Sequence, residues 1–258
     1  MMLNIDLRGR IALVVGGSRG IGGAITEMLA QAGAMVIFSH LDPPHLLGDI
    51  DKLVGRIREK GGQVAGFLLD SCDAAGTTSL VERAIHQHGK IDILVFNVGQ
   101  NEARPVEHVT QEEWRRFIDI NLTSAFNSVH AVLPHMVKAG YGRIILIGSS
   151  AVYSGGGGAI DYAAGKGGLC GMMAYLAKEY SRKGILTNII HPCLIETDLL
   201  RVRYSGKAAR ANLIAQVPVG RLGKPGDVAG LVAFLVSSHG DYICGQSVLL
   251  DGGRTIFR

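Results

Sequence analysis

Seven short apolar runs, separated by longer amphipathic stretches, constrain the fold of this chain more than any other feature of its sequence. Most runs hold about five nearly uninterrupted apolar residues, a pattern typical of strands buried on both faces of a parallel sheet. The predicted strands are residues 11–15, 35–39, 64–69, 91–96, 143–147, 186–190 and 247–250. The predicted crossover helices are residues 22–32, 49–60, 77–88, 111–138, 162–183 and 227–237. This alternation predicts a doubly wound α/β fold with a seven-stranded parallel sheet.

The composition is that of one folded domain. No polar or Pro-rich linker divides the sequence, and α/β domains of about 250 residues commonly fold as one unit, so residues 1–258 are predicted to form a single domain. The net charge of +4 is too small and too evenly spread for a nucleic-acid binder. No apolar run of about 18 residues predicts a membrane span, and residues 1–10 lack the apolar core of a signal peptide. Four widely spaced cysteines predict reduced thiols in the cytoplasm.

A glycine-rich turn lies between the first predicted strand and the first predicted helix. It reads Gly16-Gly17-Ser18-Arg19-Gly20-Ile21-Gly22, a G-x-x-x-G-x-G spacing. Glycine allows a tight turn and a close approach of the backbone to a pyrophosphate, and the N-terminus of the next helix offers free N–H groups. The position of the turn therefore predicts a dinucleotide site, with contacts from Gly16, Ser18, Arg19, Gly20, Ile21 and Gly22.

Later segments follow this turn in a characteristic order. They are Asn97-Val98-Gly99, Asn121-Leu122-Thr123, Ser149, Tyr162 with Lys166, His191-Pro192-Cys193 with Glu196-Thr197-Asp198, Pro218-Val219-Gly220-Arg221 and Asp251-Gly252-Gly253. Over residues 7–253 the pattern resembles the short-chain dehydrogenase/reductase family, most of all its β-ketoacyl-acyl-carrier-protein reductase branch. The resemblance implies a Rossmann-type fold and an NAD(P)-dependent enzyme acting on CH–OH groups. Val15, Phe96 and Cys193 depart from the family pattern, which has threonine, asparagine and glycine there.

The predicted catalytic residues are Ser149, Tyr162, Lys166 and Asn121. Hydride transfer at a carbonyl carbon needs a group that exchanges a proton at the oxygen. Tyr162 and Lys166 lie one helical turn apart, and a nearby cation lowers the pKa of a phenol, so we expect the ammonium, together with the positive nicotinamide ring, to make Tyr162 more acidic. The resemblance implies that Lys166 also binds the nicotinamide ribose, that Ser149 binds the substrate oxygen and that Asn121 holds a water. Taken singly, these side chains also fit turn, cap or surface roles.

The end of the second predicted strand bears on the choice of dinucleotide. NAD-binding folds carry an acidic residue there, whereas this strand ends at His40, with Asp42 two residues on. Arg19 can bind a 2′-phosphate through paired hydrogen bonds. NADP(H) is therefore favoured, and Asp42 keeps NAD(H) open. Further predicted cofactor contacts are Asp70, Asn97, Gly99, Tyr162, Lys166, Pro192, Ile195 and Thr197.

Residues 199–218 are predicted to form a helical, mobile lid over a substrate pocket that residues 97–104 and 155–158 also border. If the substrate is a 3-oxoacyl thioester, the basic residues Arg201, Arg203 and Arg210 are placed to meet an acidic carrier or a CoA phosphate. No metal site is predicted, because H-E-x-x-H and cysteine-quartet motifs are both missing from the sequence.

The helix that carries Tyr162 contains Gly165, Gly167, Gly168 and Gly171. Each costs about 1 kcal/mol relative to alanine inside a helix, so another backbone is expected to pack closely against it. That neighbour is either a second subunit, in a homodimer or homotetramer such as the resemblance implies, or the helix's own sheet.

The favoured function is an NADP(H)-dependent reductase of a 3-oxoacyl or other ketone substrate. One alternative is an NAD-dependent alcohol, polyol or sugar dehydrogenase, which a cofactor-preference assay would separate. A second is a non-catalytic nucleotide-sensing regulator, which has no need for Ser149, Tyr162 and Lys166 together.

Overall fold

All seven predicted strands are present and pair in one parallel sheet. The computed structural model of the protein describes residues 4–41, 47–155 and 157–255. The strands are β1 Ile11–Val15, β2 Met35–His40, β3 Gln63–Leu68, β4 Ile93–Phe96, β5 Gly142–Ile147, β6 Ile185–Pro192 and β7 Ser247–Leu250. Their order across the sheet is β3-β2-β1-β4-β5-β6-β7. This confirms the predicted fold class, with strand boundaries that differ from prediction by two residues or fewer.

Helices follow the strands as the sequence pattern predicts. The α-helices are α1 Gly20–Gln31, α2 Leu47–Glu59, α3 Ala74–His88, α4 Gln111–Ile118, α5 Ser124–Ala139, α6 Ala151–Ser154, α7 Ile160–Tyr180, α8 Asp198–Arg203, α9 Lys207–Ala215 and α10 Pro225–Val236. No helix in the described ranges is both long and apolar enough to cross a membrane.

Two hydrophobic cores lie on the two faces of the sheet. Alternate residues of β1 divide between them, because successive side chains of a strand point to opposite faces. Ala12 and Val14 pack with α1, α2 and α10, whereas Leu13 and Val15 pack with α3, α5 and α7. This burial on both sides explains why the strands are almost uniformly apolar.

The strand order reverses between β1 and β4, where the connections leave the sheet in opposite directions. Ligands of open α/β sheets bind in the crevice at the carboxyl ends of such a strand pair. The glycine turn follows β1 and Asn97 follows β4, and the Asn97 side-chain amide donates to the Gly16 carbonyl oxygen at 2.9 Å. The topology therefore brings the turn and the 97–99 segment to one place.

The predicted helix 111–138 is interrupted in the structure. Residues 111–138 were expected to form one helix, but α4 and α5 are separated by a π-helical turn, Asp119–Thr123. Asn121 is fully buried in this turn, and its side-chain amide donates to the Phe117 carbonyl oxygen at 2.9 Å. Single π-turns inside helices often mark functional sites. The sequence pattern could not reveal this π-turn, because the apolar periodicity of a helix continues through the residues before and after it.

Candidate active site

A cleft of about 1280 Å³ opens at the carboxyl ends of the strands. Pockets for small ligands are usually about 300–1,000 Å³, so this cleft has room for a dinucleotide and a substrate. The predicted site residues that line it are Gly16, Ser18, Arg19, Gly20, Ile21, His40, Asp70, Asn97, Gly99, Ser149, Tyr162, Lys166, Pro192, Ile195 and Thr197. Gly22 and Asn121 lie behind its wall.

The glycine turn is shaped by its backbone. Gly16 and Gly20 have φ values of +77° and +54°, in the left-handed region that favours glycine. A Cβ at Gly22 would lie 1.9 Å from the Gly16 carbonyl oxygen. The Thr26 hydroxyl donates to the Gly17 carbonyl oxygen at 2.9 Å. The turn thus brings its backbone close to the cleft at the start of α1, which fits a bound pyrophosphate.

The end of β2 carries His40 and not a carboxylate. Its Nδ1 atom is buried and has no hydrogen-bond partner among the described residues. Arg19 is exposed at the N-cap of α1 and lines the same cleft. Asp42, which kept NAD(H) open, lies outside the described residues. Asp70 lines the cleft, and its carboxylate also accepts from the Cys72 backbone N–H at 2.9 Å, so a turn-capping role is present as well.

Lys166 is buried beneath the cleft. Its Nζ atom donates to the carbonyl oxygens of Val98 and Ile147, each at 2.9 Å, and lies 5.8 Å from the centroid of the Phe96 ring. Burial lowers the pKa of this amine to about 7. A Cβ at Gly99 would lie 2.9 Å from Lys166 Nζ, so glycine at that position makes room for the lysine.

The Tyr162 phenol lies in the cleft beside the Ser149 side chain. Its pKa is raised, mainly by burial and further by the nearby Cys193 thiol, while the interaction with Ser149 opposes the shift. The prediction that Lys166 lowers this pKa is wrong for the protein's own groups. The lysine is held by backbone carbonyls and, at a pKa of about 7, is only partly charged at neutral pH.

Ser149 rests on a buried histidine. His191 Nδ1 lies 3.0 Å from the Ser149 carbonyl oxygen and 3.2 Å from its N–H, and the tautomer decides which bond forms. His191 Nε2 lies 2.9 Å from Ser247 Oγ, which is 2.5 Å from the Tyr153 hydroxyl. Burial lowers the pKa of His191. His191 itself is fully buried behind Ser149.

The π-turn and α7 pack directly on each other. Asn121 Oδ1 accepts from the Gln100 N–H at 3.1 Å, which ties the turn to the loop after β4. A Cβ at Gly165 would lie 2.7 Å from Asn121 Cβ, and one at Gly168 would lie 2.7 Å from Leu122 Cδ2. Two of the helix glycines are therefore needed for contact with the π-turn, a neighbour that the sequence did not suggest.

A buried ion pair that sequence reasoning missed holds the start of α7. The fully buried Asp161 carboxylate accepts from Arg104 Nη2 at 2.7 Å and from the Tyr162 N–H at 2.6 Å. Because Asp161 precedes Tyr162 directly, this pair links the tyrosine's backbone to the loop after β4. Neither residue belongs to a sequence motif that could have indicated the contact.

The segment 199–218, predicted to form a lid, contains helices that border the cleft. The residues of α8, α9 and their flanks that line the cleft are Leu200, Tyr204, Ala209, Asn212, Leu213 and Gln216. Arg201 and Arg210 pair with the Glu196 carboxylate of the same chain. Two of the three arginines expected to meet an anionic carrier are therefore already paired. The side chain of Arg203, like Gly156 of the glycine-rich loop, lies outside the described residues.

Known proteins resemble this chain over nearly its whole length. The family model described as enoyl-(acyl carrier protein) reductase matches residues 15–255. The 3-oxoacyl-[acyl-carrier-protein] reductase FabG of Escherichia coli K12 is 39% identical over 249 residues, covering 96% of this chain and 98% of that protein.

Solved structures show the same likeness. A putative gluconate dehydrogenase of Agrobacterium tumefaciens superposes with a TM-score of 0.91 at 33% identity, covering 98% of this chain and 99% of the other. A gluconate 5-dehydrogenase of Burkholderia cenocepacia, solved with NADP and tartrate, has a TM-score of 0.90 at 30% identity, covering 99% and 98% of the two chains.

Proposed function

Because the chain belongs to the short-chain dehydrogenase/reductase family, we propose that it reduces a ketone to a secondary alcohol with NADPH, using Tyr162 as the proton donor. The observation that carries this proposal is the neighbouring pair of Tyr162 and Ser149, in the same cleft as the glycine turn and Lys166. A purely nucleotide-sensing protein has no use for that pair.

The residues have distinct roles in the proposed reaction. Bound NADPH supplies a hydride to the carbonyl carbon. Ser149 orients the substrate by donating a hydrogen bond to its oxygen, and Tyr162 gives its proton to the same oxygen as negative charge develops. A raised pKa keeps Tyr162 protonated at neutral pH, which suits a proton donor in the reductive direction. Asn121 and Lys166 hold the loop after β4 in place.

NADP(H) is the proposed cofactor. Arg19 and His40 would hold the 2′-phosphate, the glycine turn the pyrophosphate, and Lys166 and Tyr162 the nicotinamide ribose. Two observations support this choice. At the described end of β2, the residues are His40 and Leu41 and neither is acidic, and the Burkholderia relative was solved with NADP. Comparing kcat/KM for NADPH and NADH tests it: equal or better use of NADH would contradict the assignment.

A 3-oxoacyl thioester is the proposed starting point for a substrate search, supported by the likeness to the Escherichia coli reductase. The test is reduction of an acetoacetyl thioester, followed by loss of NADPH absorbance, with the Tyr162→Phe protein as control. Turnover that the Tyr162→Phe protein retains would show that another group donates the proton.

We propose a homotetramer or homodimer in the cytoplasm, with residues 1–258 as one catalytic domain and 199–218 as a mobile lid. Apart from adjacent residues and the backbone of α7 itself, no atom of the described residues lies within 4 Å of a Cβ built at Gly167 or Gly171, and the nearby Tyr175 is 62% exposed. This face of α7 suits contact with a second copy. Sedimentation of Gly171→Glu tests the assembly, with Gly55→Glu on the open face of α2 as control. A wild-type monomer at micromolar concentration would contradict the oligomer.

A further inference from the structure

Arg254 lines the cleft just after β7, at a position no catalytic motif includes. Its guanidinium makes two hydrogen bonds to neutral groups: Nη1 to the Cys193 sulfur at 3.2 Å and Nη2 to Gln216 Oε1 at 2.9 Å. The Nε atom is buried and has no hydrogen-bond partner in the described part of the chain.

No carboxylate of the described residues forms an ion pair with Arg254. Asp251, three residues earlier, is occupied by the backbone: its carboxylate accepts from the N–H groups of Gly253 and Thr255, at 2.9 and 2.8 Å. Other partly buried arginines of this protein differ in this respect. Arg104 pairs with Asp161, and Arg210 pairs with Glu196.

A guanidinium with this environment favours an anionic ligand. It has five N–H donors, and a thiol sulfur is only a weak acceptor. A partly buried charge without a counter-ion is unfavourable. A carboxylate in the cleft would supply both the opposite charge and two oxygens in the geometry that guanidinium groups bind best.

Cys193 connects this arginine to the proposed chemistry. The thiol bonds to Arg254 and lies close enough to Tyr162 to affect its phenol, and both residues line the same cleft. Cys193 occupies a position where the family pattern has glycine. A substrate whose ketone lies at Tyr162 can therefore extend past this side chain to Arg254.

We propose that Arg254 binds a carboxylate of the substrate, so that this protein reduces an oxo acid in preference to a neutral ketone. The inference rests on the proposed ketone reduction, and it names the substrate class for that site. It also makes Arg254 a specificity-determining residue.

The experiment compares oxo acids with their own methyl esters. Acetoacetate, 4-oxopentanoate and 5-oxohexanoate, each with its ester, place the carboxylate at increasing distances from the ketone. With NADPH, the wild-type protein should show kcat/KM at least tenfold higher for one of the acids than for its ester. Arg254→Met should lower that value for the acid about 10- to 100-fold, the loss expected for a charge-assisted hydrogen bond, and leave the ester within twofold.

Two further variants complete the test. Arg254→Lys keeps the charge without the planar pair of donors and should retain part of the preference. Arg56→Met removes an exposed arginine of α2 that lies near Glu27, and it should leave kcat/KM for both acid and ester unchanged. The acid preference and its loss in Arg254→Met support the proposal. Equal use of acid and ester by the wild type, or an equal loss on both in Arg254→Met, overturns it.

A binding measurement separates this inference from the ketone reduction itself. With NADP+ present, pentanoate should raise the melting temperature of the wild-type protein more than methyl pentanoate does, and this difference should vanish in Arg254→Met. If that difference appears without turnover of any ketone, the anion site stands and the reductase proposal fails. If esters are reduced, but acids are used no better and pentanoate raises the melting temperature no more than its ester, the reductase stands and the anion site is overturned.

Discussion

The two ends of the cleft are built from different parts of the polypeptide. At the turn after β1, main-chain geometry forms the wall: Gly16 and Gly20 have positive φ values, and a Cβ at Gly22 would collide with the Gly16 carbonyl oxygen. Near the ends of β5 and β6, buried polar side chains support the wall: Lys166 and His191 each contact backbone carbonyls or hydroxyls. Substitutions at the first end should therefore affect nucleotide binding and folding, and those at the second should affect turnover.

The largest effect on turnover is expected at the second end, from Tyr162→Phe. Loss of the proton donor should lower kcat at least 100-fold, because general acid catalysis contributes roughly 10²–10⁴-fold. NADPH binding, followed by nicotinamide fluorescence, should stay within a few-fold of wild type. Tyr175→Phe, on the exposed face of the same helix, is the matched control. Turnover above about one per cent in Tyr162→Phe contradicts the assigned role.

At the glycine turn, adding a single methyl group should lower both stability and NADPH affinity. Gly22→Ala places a Cβ against the Gly16 carbonyl oxygen and should cost about 1–3 kcal/mol in unfolding free energy, as overpacking does. NADPH affinity should fall with it. Gly55→Ala, at a helix position with open space, should leave both unchanged or raise stability. Wild-type NADPH affinity and stability in Gly22→Ala would show that the turn has another conformation.

A smaller effect is expected from the histidine behind Ser149. His191→Leu removes the contact with the Ser149 backbone and should lower kcat about tenfold, since misplacing a catalytic group by about 1 Å is costly. The KM for NADPH should not change. His191→Gln, which keeps a hydrogen-bonding side chain, should recover part of kcat. If His191→Leu and His191→Gln lower kcat equally and also lower thermal stability equally, the role of His191 is packing only.

The most gradual effect is a pH dependence of stability from Lys166. Its folded pKa of about 7 lies below the ordinary value of 10.5. Between these values the unfolded chain binds one more proton, so the free energy of unfolding should rise with pH from about 7 to 10.5. The slope is at most about 1.4 kcal/mol per pH unit. When the free energy of unfolding is measured in urea at several pH values, Lys166→Met should flatten its rise with pH. An unchanged slope would contradict a buried amine with a lowered pKa.

Local patterns explain how much of the site could be predicted. The glycine turn and the Tyr162–Lys166 spacing depend on residues close together in the chain, and the structure brings both to the predicted cleft. The π-turn at Asn121 was not predictable, because an i→i+5 turn leaves the apolar periodicity of its flanking helices intact. Arg254 gave no signal, since its contacts with Cys193 and Gln216 join residues 61 and 38 positions apart.

The sequence by itself determined the sheet, its crossover helices and the place of the glycine turn, because each follows from the periodicity or composition of a short segment. Only the tertiary structure decided the pKa shifts of Lys166 and Tyr162. Lys166 meets the Val98 carbonyl from 68 residues away, and its burial there lowers its pKa. Tyr162 is buried beside Cys193, which raises its pKa instead of lowering it. Desolvation depends on every neighbour in space, and spacing along the chain does not specify those neighbours.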